Sequence, residues 1–202
     1  GMTIAGFAVG ASVGYIYVRS EYPEAIEALN EAVKAATAQG WLGESVLGTD
    51  FSFNIHVRVG AGSYVCGEET ALLESLEGKR GVVRAKPPLP AHVGLFGKPT
   101  VINNVLSLGT VPAILADGAA AYAALGVGRS RGTQVLQLAG NIARGGIFET
   151  AFGTTLGEVV NDLGGGTANG RPIRAVQVGG PLSAYIPTTR FDLPFDYEAF
   201  AA

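Results

Sequence analysis

The sequence predicts an α/β protein, because strand and helix patterns alternate along its first part. Hydrophobic residues make up 48% of the 202 residues, which is enough to form at least one core. The segment FSFNIHVRV, residues 51–59, alternates strictly between apolar and polar side chains, as a strand with one buried face does. A strand and a helix pattern precede it and a helix pattern follows it, and this order is typical of layered α/β folds.

The elements of this first part are predicted from local sequence signals. Proline at the first helical position and glycine after the last one mark the limits of the first long helix. The apolar run that opens the chain is expected to be a buried helix end. The predicted order is helix 4–11, strand 15–18, helix 23–40, strand 51–59 and helix 67–76.

A Pro- and Gly-rich loop is predicted over residues 78–99. It contains four prolines and is too long for a plain connection, so we expect it to cover another part of the protein. A helix follows and is expected to run to about residue 125. Either Asn103 or Asn104 can cap its start, because an asparagine side chain accepts a hydrogen bond from a backbone N–H of the first turn.

A change in composition at GVGRSRG, residues 126–132, predicts a domain boundary. The predicted domains are 1–128 and 129–202. A hairpin, a helix and a returning strand are predicted in the second domain, which is the outline of a small β-grasp module. The predicted elements are strands 133–139 and 147–149, a helix from Thr154 or Thr155, and strand 173–178.

Composition and charge exclude several classes of function. Fourteen basic and seventeen acidic residues give a net charge of -3, without the basic run that a nucleic acid partner requires. The single cysteine, Cys66, forms neither an internal disulfide nor a multi-cysteine metal site, so a reducing, cytoplasmic location is expected. The apolar run 4–18 is too short to cross a bilayer, and no direct membrane insertion is expected. Only 15% of residues are charged, so an apolar surface typical of a subunit is expected.

The stretch VGAGSYVCGEET, residues 59–70, has the outline of a nucleotide or flavin cradle. Small residues end a strand, and unpaired N–H groups at the start of the next helix face the space they leave. The spacing is neither the dinucleotide fingerprint nor the phosphate-binding loop. On local physics alone, Glu68 and Glu69 could equally do no more than satisfy the helix dipole.

Longer motifs identify a family. GYIYVRSEYPEAIEAL, GAGSYVCGEETALLESLEGKRG and PPLPAHVGLFGKPTVINNV, in this order, resemble the FMN-binding flavoprotein subunit of NADH dehydrogenase. The resemblance covers essentially the whole chain. VVRAKPPLPA, GVGRSRG, LAGNI and FDLPFDYEAF look most like the β subunit of soluble NAD-dependent formate dehydrogenase. The respiratory NADH:quinone oxidoreductase and the NAD-reducing hydrogenases contain equivalent subunits.

This resemblance implies a fold and an activity. The fold would be the C-terminal part of an FMN-binding α/β domain, followed by a β-grasp domain of the soluble-ligand-binding (SLBB) type. The activity would be hydride transfer between NAD(H) and FMN, with electrons passed on to iron–sulfur clusters. The implied partners are a thioredoxin-like 2Fe-2S subunit and a catalytic subunit containing molybdenum or another metal. In a respiratory complex the protein would lie peripherally at the inner membrane.

The resemblance also assigns site residues. Tyr64, Gly67, Glu68 and Glu69 would border the FMN isoalloxazine, with Gly67 admitting the ring and Glu69 holding the nicotinamide end of NAD(H). The two carboxylates would oppose excess negative charge on reduced flavin. Lys86 would meet the dinucleotide phosphates, or would be a solvated loop lysine.

A second FMN contact is implied downstream, where amide groups would bind the ribityl chain or the phosphate. Its residues are Val101, Asn103, Asn104 and Ser107. The alternative for Asn104 is a purely capping role. Cys66 is interpreted as inert packing, and no catalytic residue is assigned, His56 and His92 included.

Two features of the family do not occur in this sequence. These are a glycine-rich loop followed by an Asn-x-Asp-Glu segment, and a C-terminal domain whose cysteines bind a [4Fe-4S] cluster in the full-length subunit. The chain is therefore expected to hold one half of the FMN site and to be inactive alone. The competing interpretation is a non-catalytic module for subunit docking or ligand binding.

Overall fold

The computed structural model describes residues 1–180 and 183–201, which form two compact units, Gly1–Val111 and Pro112–Ala202. The helix α4, Val105–Asp117, spans the division. The predicted boundary between residues 128 and 129 stays a prediction. Pro181, Leu182 and Ala202, which belong to the second predicted domain, lie outside the described residues.

The first unit is built on a strand–helix–strand motif, which confirms the predicted α/β class. Its elements are α1 (Met2–Val9), β1 (Val13–Arg19), α2 (Pro23–Ala38), β2 (Asn54–Gly60) and α3 (Glu69–Leu76). The strands β1 and β2 pair in parallel, with Val13 opposite Asn54 and Arg19 opposite Gly60. Parallel pairing places the carboxyl ends of both strands at the same edge.

One core cluster of the first unit lies at the amino end of β2. Leu42, Val46 and Phe53 are buried together, and Phe53 is only 2% exposed. A Cβ atom at Gly6 of α1 would lie 2.5 Å from the Phe53 ring, and one at Gly14 of β1 would lie 2.9 Å from it. These two glycines therefore let the backbone of both elements approach the ring closely.

Two predictions of burial are wrong. The helix predicted at 4–11 forms at Met2–Val9, but Gly6 is its buried residue and Phe7 is 70% exposed, because the helix turns Gly6 and the half-buried Met2 toward the Phe53 cluster and Phe7 away from it. Val59 is 53% exposed although the alternation puts it on the buried face. It lies at the carboxyl end of β2, at the opposite end of the strand from the core.

Within its described residues, 112–180 and 183–201, the second unit contains short helices and three antiparallel strand pairs. In chain order the elements are α5 (Ala119–Ala123), β3 (Gly126–Val127), β4 (Ser130–Arg131), β5 (Thr133–Leu138), β6 (Gly146–Ala151), α6 (Leu156–Glu158, continued by a π-helical turn, Val159–Leu163), β7 (Ala175–Gln177), β8 (Tyr185–Pro187) and α7 (Tyr197–Ala201). β3 pairs with β4, β5 with β6 and β7 with β8. Leu156, Val159 and Val160 are its buried apolar residues.

The order hairpin, helix, strand appears in the second unit as predicted, and the β-grasp assignment itself stays a prediction. The helix predicted to run to residue 125 is interrupted at Gly118, whose φ of 88° is left-handed and unfavourable for other residues. In the described ranges, no helix is long and apolar enough to cross a membrane.

Candidate functional site

A cavity of about 640 Å³ opens where β1 and β2 end. Tyr17 and Arg19 of β1 line one part of it. The 3₁₀ turn Tyr64–Gly67 and the first residue after it, Glu68, line another. Ligands of parallel α/β sheets bind at the carboxyl ends of the strands, in cavities of about 300–1,000 Å³. The position and the size of the cavity are therefore compatible with a ligand site.

The lining residues fit a flavin. A Cβ atom at Gly67 would meet no atom within 4 Å, so the backbone here faces open space that a planar ring can enter. Tyr64 is 76% exposed and offers an aromatic face. Nε of Arg19 is buried and has no hydrogen-bond partner within the described part of the chain, which leaves a donor unpaired beside the cavity.

Glu68 is the N-cap of α3. Its Oε2 accepts hydrogen bonds from the N–H of Thr70 at 2.8 Å, from the N–H of Ala71 at 2.9 Å and from the hydroxyl of Thr70 at 2.5 Å. These bonds, the Thr70 hydroxyl first, lower the pKa of Glu68 to about 2. The carboxylate is therefore ionised at neutral pH, and it both satisfies the helix start and lines the cavity.

Lys86 binds both carboxylates. Its Nζ forms an ion pair with Glu69 Oε1 and lies 3.4 Å from Glu68 Oε1. The Glu69 carboxylate is the main cause of a raised pKa for Lys86. Lys86 is thus not a freely solvated loop lysine, and the predicted contact with dinucleotide phosphates stays a prediction.

The loop 78–99 covers α3, as its length predicted. The N–H of Arg84 donates to Thr70 Oγ1 at 2.8 Å, and its guanidinium contacts Glu74 at 2.5 Å and Glu77 at 2.9 Å. Farther along the loop, the N–H of Phe96 donates to Glu77 Oε1 at 2.8 Å. The loop is therefore attached to both ends of the helix and carries Lys86 to the carboxylates.

The second predicted group of site residues is separate from the cavity lining. Among the described residues that line the cavity, none comes from the segment 101–107. Val101, Asn103, Asn104 and Ser107 are all exposed. Oδ1 of Asn104 accepts the N–H of Leu106 at 2.9 Å, which is the capping role left open above. Their contact with FMN stays a prediction.

Four residues near the site were not predicted from the sequence. Tyr17 and Arg19 reach the cavity because β1 pairs in parallel with β2. The sequence signal for Arg19 is only its position as the last residue of β1. Thr70 and Arg84 meet through the loop, fourteen positions apart. Only the GEET sequence, which places a hydroxyl two residues after a capping acid, could have pointed to Thr70.

Acid is expected to destabilise the first unit between about pH 4.5 and pH 2. Hydrogen bonds, those from Thr70 and Lys79 first, lower the pKa values of Glu68 and Glu77 from 4.5 to about 2. A lowered folded-state pKa stabilises the folded state above the unfolded pKa, and this contribution is lost as pH falls through the folded pKa. Unfolding midpoints in urea, measured from pH 6 down to about pH 2.5, test this. Glu77→Gln should flatten the dependence, and a midpoint constant over this range would contradict the expectation.

Comparison with known proteins places the chain in a family. Residues 1–113, more than half of the chain, match the Nuo51 FMN-binding domain. The NADP-reducing hydrogenase subunit HndC of Solidesulfovibrio fructosivorans is 45% identical over 201 residues, which are 100% of this chain and 41% of that protein. A subunit of the NADH-quinone oxidoreductase of Escherichia coli is 44% identical over 199 residues, 98% of this chain and 45% of that one.

A solved structure agrees with these relatives. In the crystal structure of an NAD⁺-reducing [NiFe]-hydrogenase in the H₂-reduced state, one chain matches with a TM-score of 0.83 and 36% identity, over 98% of this chain and 33% of that chain. The chain thus spans less than half the length of each of these relatives. As the sequence predicted, the chain belongs to the Nuo51 FMN-binding domain family.

Proposed function

We propose that this chain contributes an FMN site to an NAD-linked electron-transfer flavoprotein subunit. The proposed reaction is hydride transfer between NAD(H) and FMN, with electrons passed on to iron–sulfur clusters. The observation that carries the proposal is the cavity beside Glu68, because it lies within the segment that matches an FMN-binding domain and is bordered by three of the predicted flavin contacts.

FMN, when bound, supplies the acceptor that takes a hydride and releases electrons one at a time. Gly67 leaves room for the ring, and Tyr64 presents its aromatic face. Glu68 stays ionised and oriented by three hydrogen bonds, so it keeps a fixed negative charge beside the ring. Arg19 lines the cavity, and its guanidinium, which pairs with Glu21 at 2.5 Å, would offer N–H groups to an oxygen or nitrogen of the ligand.

The dinucleotide end of the site is proposed at Glu69 and Lys86. Glu69 would hold the nicotinamide end, and Lys86 would exchange a carboxylate partner for a phosphate of NAD(H), since its ammonium group is partly exposed. Asn103 and Asn104, with Val101 and Ser107, would bind the ribityl chain or phosphate of FMN. Their exposure at the start of α4 supports this role.

For the complex, we propose a cytoplasmic, soluble NAD-dependent formate dehydrogenase. The support is the resemblance of four sequence segments to the β subunit of that enzyme. These segments are VVRAKPPLPA, GVGRSRG, LAGNI and FDLPFDYEAF. The partners would be a thioredoxin-like 2Fe-2S subunit and a metal-containing catalytic subunit. Purification of the native complex followed by assays with formate, hydrogen and quinone distinguishes the three assemblies. Formate-dependent NAD⁺ reduction is expected, and activity with hydrogen or quinone alone would assign the protein to another complex.

A second candidate function concerns the second unit. A groove of about 1340 Å³ there runs between β5, α6 and β7, and includes Leu136, Asn141 and Tyr185. Typical small-ligand cavities occupy about 300–1,000 Å³. The groove therefore favours docking of a polypeptide segment or a larger soluble ligand. Deletion of residues 129–202 should then weaken assembly with partner subunits without abolishing FMN binding.

FMN titration tests the proposed function. The protein at its natural length is expected to quench FMN fluorescence with a 1:1 end point and to oxidise NADH with an artificial acceptor. The 202-residue chain alone is expected to bind FMN weakly and to show little NADH oxidation, since its relatives are more than twice as long. A natural-length protein that binds no FMN would contradict the proposal, and rapid turnover by the 202-residue chain would contradict the expected inactivity.

A further inference from the structure

Thr70 links the capping acid to the loop through a single hydroxyl. The side chain is 1% exposed and belongs to the first turn of α3. Its Oγ1 accepts the N–H of Arg84 at 2.8 Å and lies 2.5 Å from Glu68 Oε2. A backbone N–H can only donate and an ionised carboxylate can only accept. The hydroxyl proton of Thr70 must therefore point to Glu68.

We propose that Thr70 is a positioning residue of the flavin site: its hydroxyl fixes the Glu68 carboxylate and ties its orientation to the docked loop 78–99. This inference rests on the proposed function. With Oε2 held by three donors, rotation of the carboxylate is blocked and Oε1 is the oxygen left to face Lys86. Thr70 thus connects the Glu68 carboxylate to the loop 78–99, which carries Lys86.

The hydroxyl does more than start the helix. A helix cap needs only acceptance of the backbone N–H groups, which Glu68 takes from Thr70 and Ala71. In those two bonds the donors are backbone N–H groups, so both bonds can form when the Thr70 hydroxyl is removed. The third bond comes from a buried side chain whose other partner is a loop N–H fourteen residues away. Removing the hydroxyl therefore takes away the bond that links the Glu68 carboxylate to the loop and leaves the two bonds that cap the helix.

The second unit supplies a matched control. Thr155 is the N-cap of α6, and its hydroxyl lies 2.8 Å from Glu158 Oε2 in a capping box. The chemistry is the same threonine–glutamate hydrogen bond at a helix start. Thr155 belongs to no predicted ligand contact. Thr155→Val should lower stability without changing FMN or NADH affinity.

The experiment compares Thr70→Val, Thr70→Ser and wild type at natural length. We expect Thr70→Val to weaken FMN binding about tenfold, since hydrogen bonds to charged groups contribute at this level. Thr70→Ser, which retains the hydroxyl, should recover most of the affinity. In a Glu68→Gln background, Thr70→Val should add little further loss, because its effect passes through Glu68.

Several outcomes would overturn the inference. Unchanged FMN affinity in Thr70→Val, an equal loss in Thr70→Ser, or an undiminished effect in the Glu68→Gln background would each do so. If Thr70→Val does not fold, Thr70→Ala replaces it in the same comparison with Glu68→Gln. Failure of both variants to fold would show that Thr70 is needed for packing only. Wild-type protein without FMN binding would instead overturn the proposed function, and this inference with it.

Discussion

Replacing Gly67 with leucine is expected to weaken FMN binding strongly in a protein that still folds. Gly67 is exposed, its φ is not left-handed, and a Cβ atom there meets nothing within 4 Å, so the backbone accepts a side chain. The leucine would then occupy the space proposed for the isoalloxazine. We expect a loss of affinity of about 5-fold to 150-fold, because forcing a bulky group into an occupied space costs about 1–3 kcal/mol.

The measurement is FMN fluorescence titration with circular dichroism as the test of folding. Gly109 in α4 provides the control, because a Cβ atom there also meets nothing within 4 Å and the residue lies outside the proposed site. Gly109→Leu should bind FMN as wild type does. Equal FMN affinity for Gly67→Leu and wild type would show that the ring does not lie against this turn.

Replacing Phe53 with alanine is expected to destabilise the first unit by about 3–5 kcal/mol, the range for truncation of a buried phenylalanine. The ring is 2% exposed and fills the space between Leu42, Val46 and the two glycines of α1 and β1. With no side chain at Gly6 or Gly14 to move inward, a cavity would remain at the junction of both elements. The large cost follows from this limited ability to collapse.

Urea unfolding followed by tryptophan fluorescence measures this loss. Trp41 is the single tryptophan of the chain and lies in the first unit next to Leu42, so its signal reports that unit. Phe53→Leu keeps most of the buried volume and is expected to cost less than half as much. An unchanged midpoint for Phe53→Ala would show that the first unit depends on another core.

Local signals predicted the elements of the first unit well. The alternation of apolar and polar residues before Gly60 predicts a strand, and the proline at position 23 predicts the start of a helix. The strand β2 and the helix α2 form at these places. The same signals predicted the helix α1 but not its burial, because hydrophobicity alone does not say which neighbour a helix will have. Its contact with Phe53 depends on Gly6, a residue that carries no hydrophobic signal.

The candidate site was only partly predictable, for a related reason. Tyr64, Gly67 and Glu68 are contiguous or nearly so, and a short motif is sufficient to bring them to one cavity. Arg19 lies in a strand that precedes Tyr64 by 45 residues, and Arg84 reaches α3 through an irregular loop. Contacts of this kind depend on strand pairing and on loop docking, which periodicity does not encode.

The parallel pairing of β1 and β2 also restricts how this protein can change in evolution. Arg19 lies opposite Gly60, and the absence of a side chain at Gly60 leaves room for the ring of Tyr17. A one-residue insertion within β1 would turn both side chains to the other face of the sheet. The exposed residues 47–50 of the connection between α2 and β2 do not set this register, so homologues should vary in length there while the two strands keep a constant length.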